Sequence, residues 1–182
     1  STQIMSSYSS KGLVLNPGES AEAKETVDQV HRVATKILDA SGLRTKANWQ
    51  ITVIKSDVPN ASVLPNGRMF IHTGLLPVTQ TEAGLAAVIG HEVAHVAARH
   101  GAERVSQIVL ADAALQGVSA AVAASRSAKY RPAIDAAMGI GVKFGVLMPY
   151  SRAHESEADR IGQIYMARAG YDPAEAIAVW DR

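Results

Sequence analysis

Between residues 20 and 40 the apolar residues Val27, Val30, Ala34, Ile37 and Leu38 recur at intervals of three and four. That spacing places them on one stripe of an α-helix, entered through Pro17-Gly18-Glu19-Ser20 and stopped at Gly42. The period then changes. Residues 49–55, WQITVIK, alternate and are rich in β-branched side chains, the pattern of a strand. Residues 61–64 and 68–73 flank Pro65-Asn66-Gly67 and predict a hairpin, with Gly67 supplying the positive φ of its turn. Three short strands make a small sheet.

A second helix is predicted over residues 79–104, opened by the capping box Thr79-x-x-Glu82. Leu85, Val88, Ile89, Val93 and Val96 spread around much of its circumference, so it should be central and buried. Residues 105–148 are helical in composition and predict a pair of helices broken near 125–132. A further helix is expected over 152–169, stopped by Gly170. Asp172-Pro173 then supplies an N-cap and a first helical position for one more. The fold class is α+β, mostly helical, with the small sheet beside the central helix. Residues 1–18 are expected to be loosely ordered. Residues 19–171 form the principal domain, and residues 172–182 open a C-terminal helix that is cut short.

The chain has 182 residues, 47% hydrophobic and 19% charged, which suits one globular domain with a sizeable core. A net charge of +1 without a basic cluster argues against a nucleic-acid partner. The absence of cysteine excludes disulfide scaffolds, thiolate metal sites and cysteine nucleophiles. The start, STQIMSSYSSKG, has neither a charged nor an apolar region of the kind a signal peptide carries. Residues 108–124 come nearest to a membrane span but contain Asp112 and Gln116. Residues 138–148 are too short and contain Lys143. A buried helical pair is the expectation, and membrane or envelope association through 108–148 the alternative.

The central helix carries His91-Glu92-Val93-Ala94-His95. Histidines four apart stand on one helix face, one turn above the other, and their imidazoles can share a zinc ion. Glu92, on the adjoining face, is placed to take a proton from a water on the outer side of the metal and to pass it to a leaving amine. A metzincin would continue with glycine and histidine at positions 98 and 101. Ala98 and Gly101 stand there instead, which excludes that class. His100, about 140° around the helix from His95 at 100° per residue, is expected at the surface. A glutamate on a later helix is the other source of a third ligand. In Ser151-Arg152-Ala153-His154-Glu155-Ser156-Glu157-Ala158-Asp159, Glu155 and Asp159 share a face. Glu155 can ligate the metal while Asp159 accepts a hydrogen bond from the far nitrogen of a ligand histidine. Without the histidine pair, the same cluster would read as a charged first helical turn.

Three blocks carry a family resemblance: residues 60–76, NASVLPNGRMFIHTGLL; 86–104, AAVIGHEVAHVAARHGAER; and 149–162, PYSRAHESEADRIG. In order and spacing the chain resembles the gluzincin zinc metallopeptidases of the HtpX-like, Oma-like and CAAX-prenyl-protease-like group. It is most similar to their soluble periplasmic branch of BepA-type and LoiP-type proteases. The resemblance implies a zincin-type metalloprotease core with one zinc per chain. His91, His95 and Glu155 are the implied ligands and Glu92 the general base. It also implies that the 60–73 hairpin borders the cleft, where a peptide would add to an edge strand at Asn60 and Ala61. A periplasmic or cell-envelope location follows from the same resemblance. Family members carry a later histidine near an H-P pair, which this chain lacks. Tyr150, Arg152 and Tyr165 are the candidates left to steady an oxyanion.

Two functions fit these residues. The first is a zinc endopeptidase acting on unfolded or misassembled proteins in envelope quality control. The second is a metal-bound, weakly active, chaperone-like binding module. His31 and His154 are expected to be exposed, His72 to pack in the core, with cleft lining as the alternative, and Trp49 and Trp180 to be packing residues. Gly139, Gly141 and Gly145 form no phosphate loop and mark close helix packing.

Overall fold

The computed structural model describes residues 7–64, 66–103, 106, 110, 113, 116 and 152–181, with the side chain of Trp180 excepted. The first long helix, α1, is Ala21–Ser41. The Ser20 side chain accepts from Ala23 N, and Gly42 closes the other end in the left-handed region at φ 70. Its predicted stripe is the buried one, with Val30, Ala34, Ile37 and Leu38 inside and Val27 packed at the margin.

Strands β1 (Gln50–Ile54), β2 (Ala61–Val63) and β3 (Arg68–His72) form one sheet in the order β1-β3-β2. β2 and β3 are the predicted antiparallel hairpin, and β1 runs parallel to β3. Gly67, at φ 84, makes the turn, and a Cβ there would stand 3.0 Å from Asn48 O. The free edge of β1 is taken by the N-terminal segment: Leu15 N donates to Val53 O and Lys55 N to Leu13 O. Met69 and Ile71 face the hydrophobic core. Phe70 and His72 point to the opposite face, where the Tyr8 ring lies 5.9 Å from Phe70 and 6.2 Å from His72. His72 is buried there, as expected, but on the Tyr8 side of the sheet.

A single 3-10 turn (Thr73–Leu75) and a short helix, α2 (Leu76–Thr79), lead into the central helix α3, Glu82–Ala97. The predicted capping box is displaced. Thr79 ends α2, its hydroxyl donating to Leu76 O, and the N-cap of α3 is Thr81, whose side chain accepts from Gly84 N at 2.9 Å. Pro77 near the start of α2 favours that extra turn, and Gln80 at φ 60 separates the two helices. α3 is buried on nearly every side from Gly84 to His91, packing against α1 and the sheet. It ends seven residues earlier than its apolar pattern suggests, because Arg99 takes a left-handed backbone at φ 59. His100 lies beyond that break, so the helical angle that predicted exposure does not apply to it. It is buried, 2% exposed.

Helix α4 is Arg152–Arg168 and ends in a Schellman motif around Gly170, with Tyr171 N donating to Met166 O and Gly170 N to Ala167 O. The last helix, α5, is Glu175–Trp180. Asp172 Oδ1 accepts from Ala174 N, so it caps a preliminary turn and the α-helix begins two residues later than expected. Residues 1–98 and 154–182 form one compact unit and residues 99–153 a second. Residues 101–103, 106, 110, 113 and 116 of the second are helical. The predicted helical pair over 105–148, its membrane alternative and the Gly139, Gly141 and Gly145 set otherwise lie outside the described residues. No helix among the described residues is long and apolar enough to cross a membrane.

The start of α3 is fastened to both flanks of the fold. The Arg32 guanidinium of α1 hydrogen-bonds Glu82, Nε at 2.9 Å, and Tyr171 OH donates to the other Glu82 oxygen at 3.3 Å. The Arg32 hydrogen bond holds the Glu82 carboxyl below its ordinary value of 4.5. A depressed carboxyl stabilises the fold above its unfolded pKa, and that stability is lost as pH falls through the folded one. Glu82→Gln is therefore expected to lower the melting temperature at neutral pH. The difference from the parent should close on acidification below about pH 4.5, as followed by circular dichroism melts.

Candidate metal centre

Helix α3 brings His91 and His95 to one face, both buried at 8% and 6% exposure. Their Nε2 atoms are 3.0 Å apart. From the first turn of α4, Glu155 reaches the same point: one carboxylate oxygen is 3.4 Å from His91 Nε2 and the other 3.6 Å from His95 Nε2. One ligand atom from each of the three side chains falls within 4.8 Å of the others. Tetrahedral ligands about 2.0–2.1 Å from a zinc ion stand about 3.3 Å from one another. The separations therefore fit one such ion, and the donor set of two imidazoles and a carboxylate suits zinc. Among the described residues this is the one cluster of this kind.

Asp159, one turn beyond Glu155, places its carboxylate 2.8 Å from His91 Nδ1. A carboxylate accepts, so Nδ1 carries the proton and the Nε2 lone pair faces His95 and Glu155. Glu155 and Asp159 are half-buried, their side chains 43% and 45% exposed, and form the solvent side of the cluster.

Glu92 is next to the first histidine and half-buried. Burial pushes its carboxyl up to about 7; the neighbouring Glu155 acts in the same direction, while His91 and a hydrogen bond from the Val63 backbone act against it. The Val63 contact follows from the sheet. Leu64 N donates to Arg68 O and Asn60 O accepts from His72 N, so residues 60, 62 and 64 direct their main-chain groups to β3. Ala61 and Val63 direct theirs the other way, to the free edge of the sheet, where Val63 meets Glu92 of α3. β2 is thus the edge strand beside Glu92, and Ala61 begins it, with Asn60 immediately before.

The remaining candidates separate. His31 is exposed, as expected, whereas His154 is half-buried in the first turn of α4. Trp49 packs at the margin of the core, its Nε1 donating to Leu43 O. Tyr165 lies in the hydrophobic cluster, where burial raises its hydroxyl pKa, and Arg152 is exposed. Tyr150 and the Trp180 side chain are outside the described residues. Two participants carry no signature in the sequence. The Val63 amide is a backbone group, and its role depends on strand order. Gly162 touches α3 at His91 and is visible beforehand only as the residue seven beyond Glu155, on the same helix face.

Comparison with known proteins gives mitochondrial and bacterial relatives. The mitochondrial metalloendopeptidase OMA1 of Schizosaccharomyces pombe is 38% identical over 156 residues, covering 84% of this chain and 42% of that protein. The human mitochondrial metalloendopeptidase OMA1 is 32% identical over 148 residues, 79% of this chain and 28% of its own length. The beta-barrel assembly-enhancing protease of Escherichia coli O157:H7 is 29% identical over 149 residues, 76% of this chain and 30% of that protein. The chain spans less than half the length of each of these curated relatives. The model of peptidase family M48 matches residues 24–181, which include both histidines, Glu92, Glu155 and Asp159. With that match over most of its length, the chain belongs to peptidase family M48.

Proposed function

We propose that this chain is the catalytic domain of a zinc-dependent endopeptidase, with residues 19–171 as its body and residues 172–182 as a C-terminal helical segment. The observation that carries the reading is the convergence of His91, His95 and Glu155 within 4.8 Å, with Glu92 beside them at the edge of β2. His91 Nε2, His95 Nε2 and a Glu155 oxygen would hold the metal. When bound, zinc would supply Lewis acidity to a peptide carbonyl and to a water. Asp159 keeps the His91 proton on Nδ1, so that Nε2 remains a ligand. The Glu92 carboxylate takes the proton of the attacking water and returns it to the leaving amine nitrogen. The outward main-chain groups of Ala61 and the outward carbonyl of Val63, whose N–H serves Glu92, hold an extended peptide across the site, with Asn60 just before the strand.

The substrates are unfolded or misassembled proteins in envelope quality control, and the location is the periplasm or cell envelope. The bacterial relatives named for enhancing β-barrel assembly support that choice. The mitochondrial relatives support an endopeptidase of the same kind in another compartment.

Glu92→Gln is expected to abolish casein cleavage while the protein still binds one zinc by elemental analysis; full turnover in that variant would refute the general-base role. Chelator-sensitive turnover favours the enzyme, and stable client binding without turnover favours the chaperone-like module. Glu155→Ala should lose zinc from the purified protein. Stoichiometric zinc with unchanged coordination would show that another group is the third ligand. Asp159→Ala, which spares all three ligands, is expected to weaken zinc about 10–100-fold in a competition titration.

A further inference from the structure

The geometry points to Gly162, with Gly90 opposite it, as the positioning residue that sets the reach between α4 and α3 and so adapts the metal centre to an aspartate at 159. This inference rests on the metal-binding role proposed above. A Cβ on Gly162 would stand 2.9 Å from His91 N, 3.0 Å from Gly90 C and 3.2 Å from His91 Cα, all backbone atoms that cannot swing away. A Cβ on Gly90 would in turn meet Gly162 O at 3.1 Å. The two helices therefore touch backbone to backbone at the residue that bears the first histidine. Glycine is needed there for lack of room, since Gly162 is helical and takes no positive φ.

Glu155, Asp159 and Gly162 are spaced i, i+4 and i+7 and share the face of α4 that meets α3. The contact at Gly162 thus fixes how far the two acidic side chains must reach. Aspartate has one methylene and few ways to extend. Its 2.8 Å contact with His91 Nδ1 exists because the backbones are this close. Glutamate has two methylenes, and Glu155 already spans 3.4 and 3.6 Å to the two histidines, so it can follow a small retreat of α4. Separation of the helices should break the Asp159 contact first and leave the ligand set nominally complete.

The test is a double-mutant cycle on the full chain, with zinc affinity read by competition against a zinc-binding dye and folding read by the circular dichroism melt of the metal-free protein. Gly162→Ala is expected to weaken zinc about 10–100-fold, the range typical of a lost partner behind a ligand histidine. Adding Asp159→Glu in that background supplies the missing methylene and should recover most of the loss. In the parent, Asp159→Glu alone overfills the short gap and should weaken zinc about 10-fold. The same substitution then has opposite signs in the two backgrounds, which general destabilisation does not produce. Unchanged zinc affinity in Gly162→Ala, or failure of Asp159→Glu to restore it, overturns the inference. If Gly162→Ala does not fold, the single Asp159→Glu variant decides: weakened zinc upholds the reach argument and unchanged zinc refutes it. A parent chain that binds no zinc would instead refute the metal centre itself.

Discussion

The 2.8 Å contact between His91 Nδ1 and the Asp159 carboxylate joins two helices whose partners lie 68 residues apart in the chain. The aim of the first histidine depends on it, because it turns the imidazole so that Nε2 faces His95 and Glu155. A hydrogen bond to a charged group contributes about 1.5–3 kcal/mol, too little to dock helices by itself. Burial does that. Ile89, Val93 and Met166 are each fully buried, and each contributes about as much as the hydrogen bond. The apolar cluster builds the frame, and the polar contact aims one ring within it.

Glu92, Glu155 and Asp159 gather around two buried imidazoles, and among the described residues neither lysine nor arginine contributes to the shift at Glu92. Burial and the nearby Glu155 both favour the protonated form of Glu92, opposed by His91 and the Val63 amide. A divalent ion among these groups would add a stronger opposing field, favouring ionised carboxylates. The arrangement therefore has the character of a cation site in its charge as well as in its distances.

Much of this was legible in the sequence, for identifiable reasons. The H-E-x-x-H spacing specifies a helix face by itself, and the 155/159 pair specifies another. Both are local, and periodicity survives folding when a helix is regular. The stripe of α1 and the Asn66-Gly67 turn were readable on the same grounds. The departures occur where regularity stops. Two threonines two residues apart compete to cap α3, and the intervening turn selects Thr81. Arg99 breaks the helical phase, so an angle counted from His95 says nothing about His100. The edge amide of Val63 is a tertiary fact without a residue signature, since any side chain could have followed the same main-chain path to the sheet edge. At Gly162 the glycine itself is visible in the sequence, but the backbone it must clear belongs to another helix.

The uneven exposure of the ligands gives the centre a direction. The histidines are buried and the carboxylates are open to solvent. A cation held here would have Glu155 on its solvent side and the imidazoles on its inner side, so the first turn of α4 would be the negatively charged side from which it exchanges with solution.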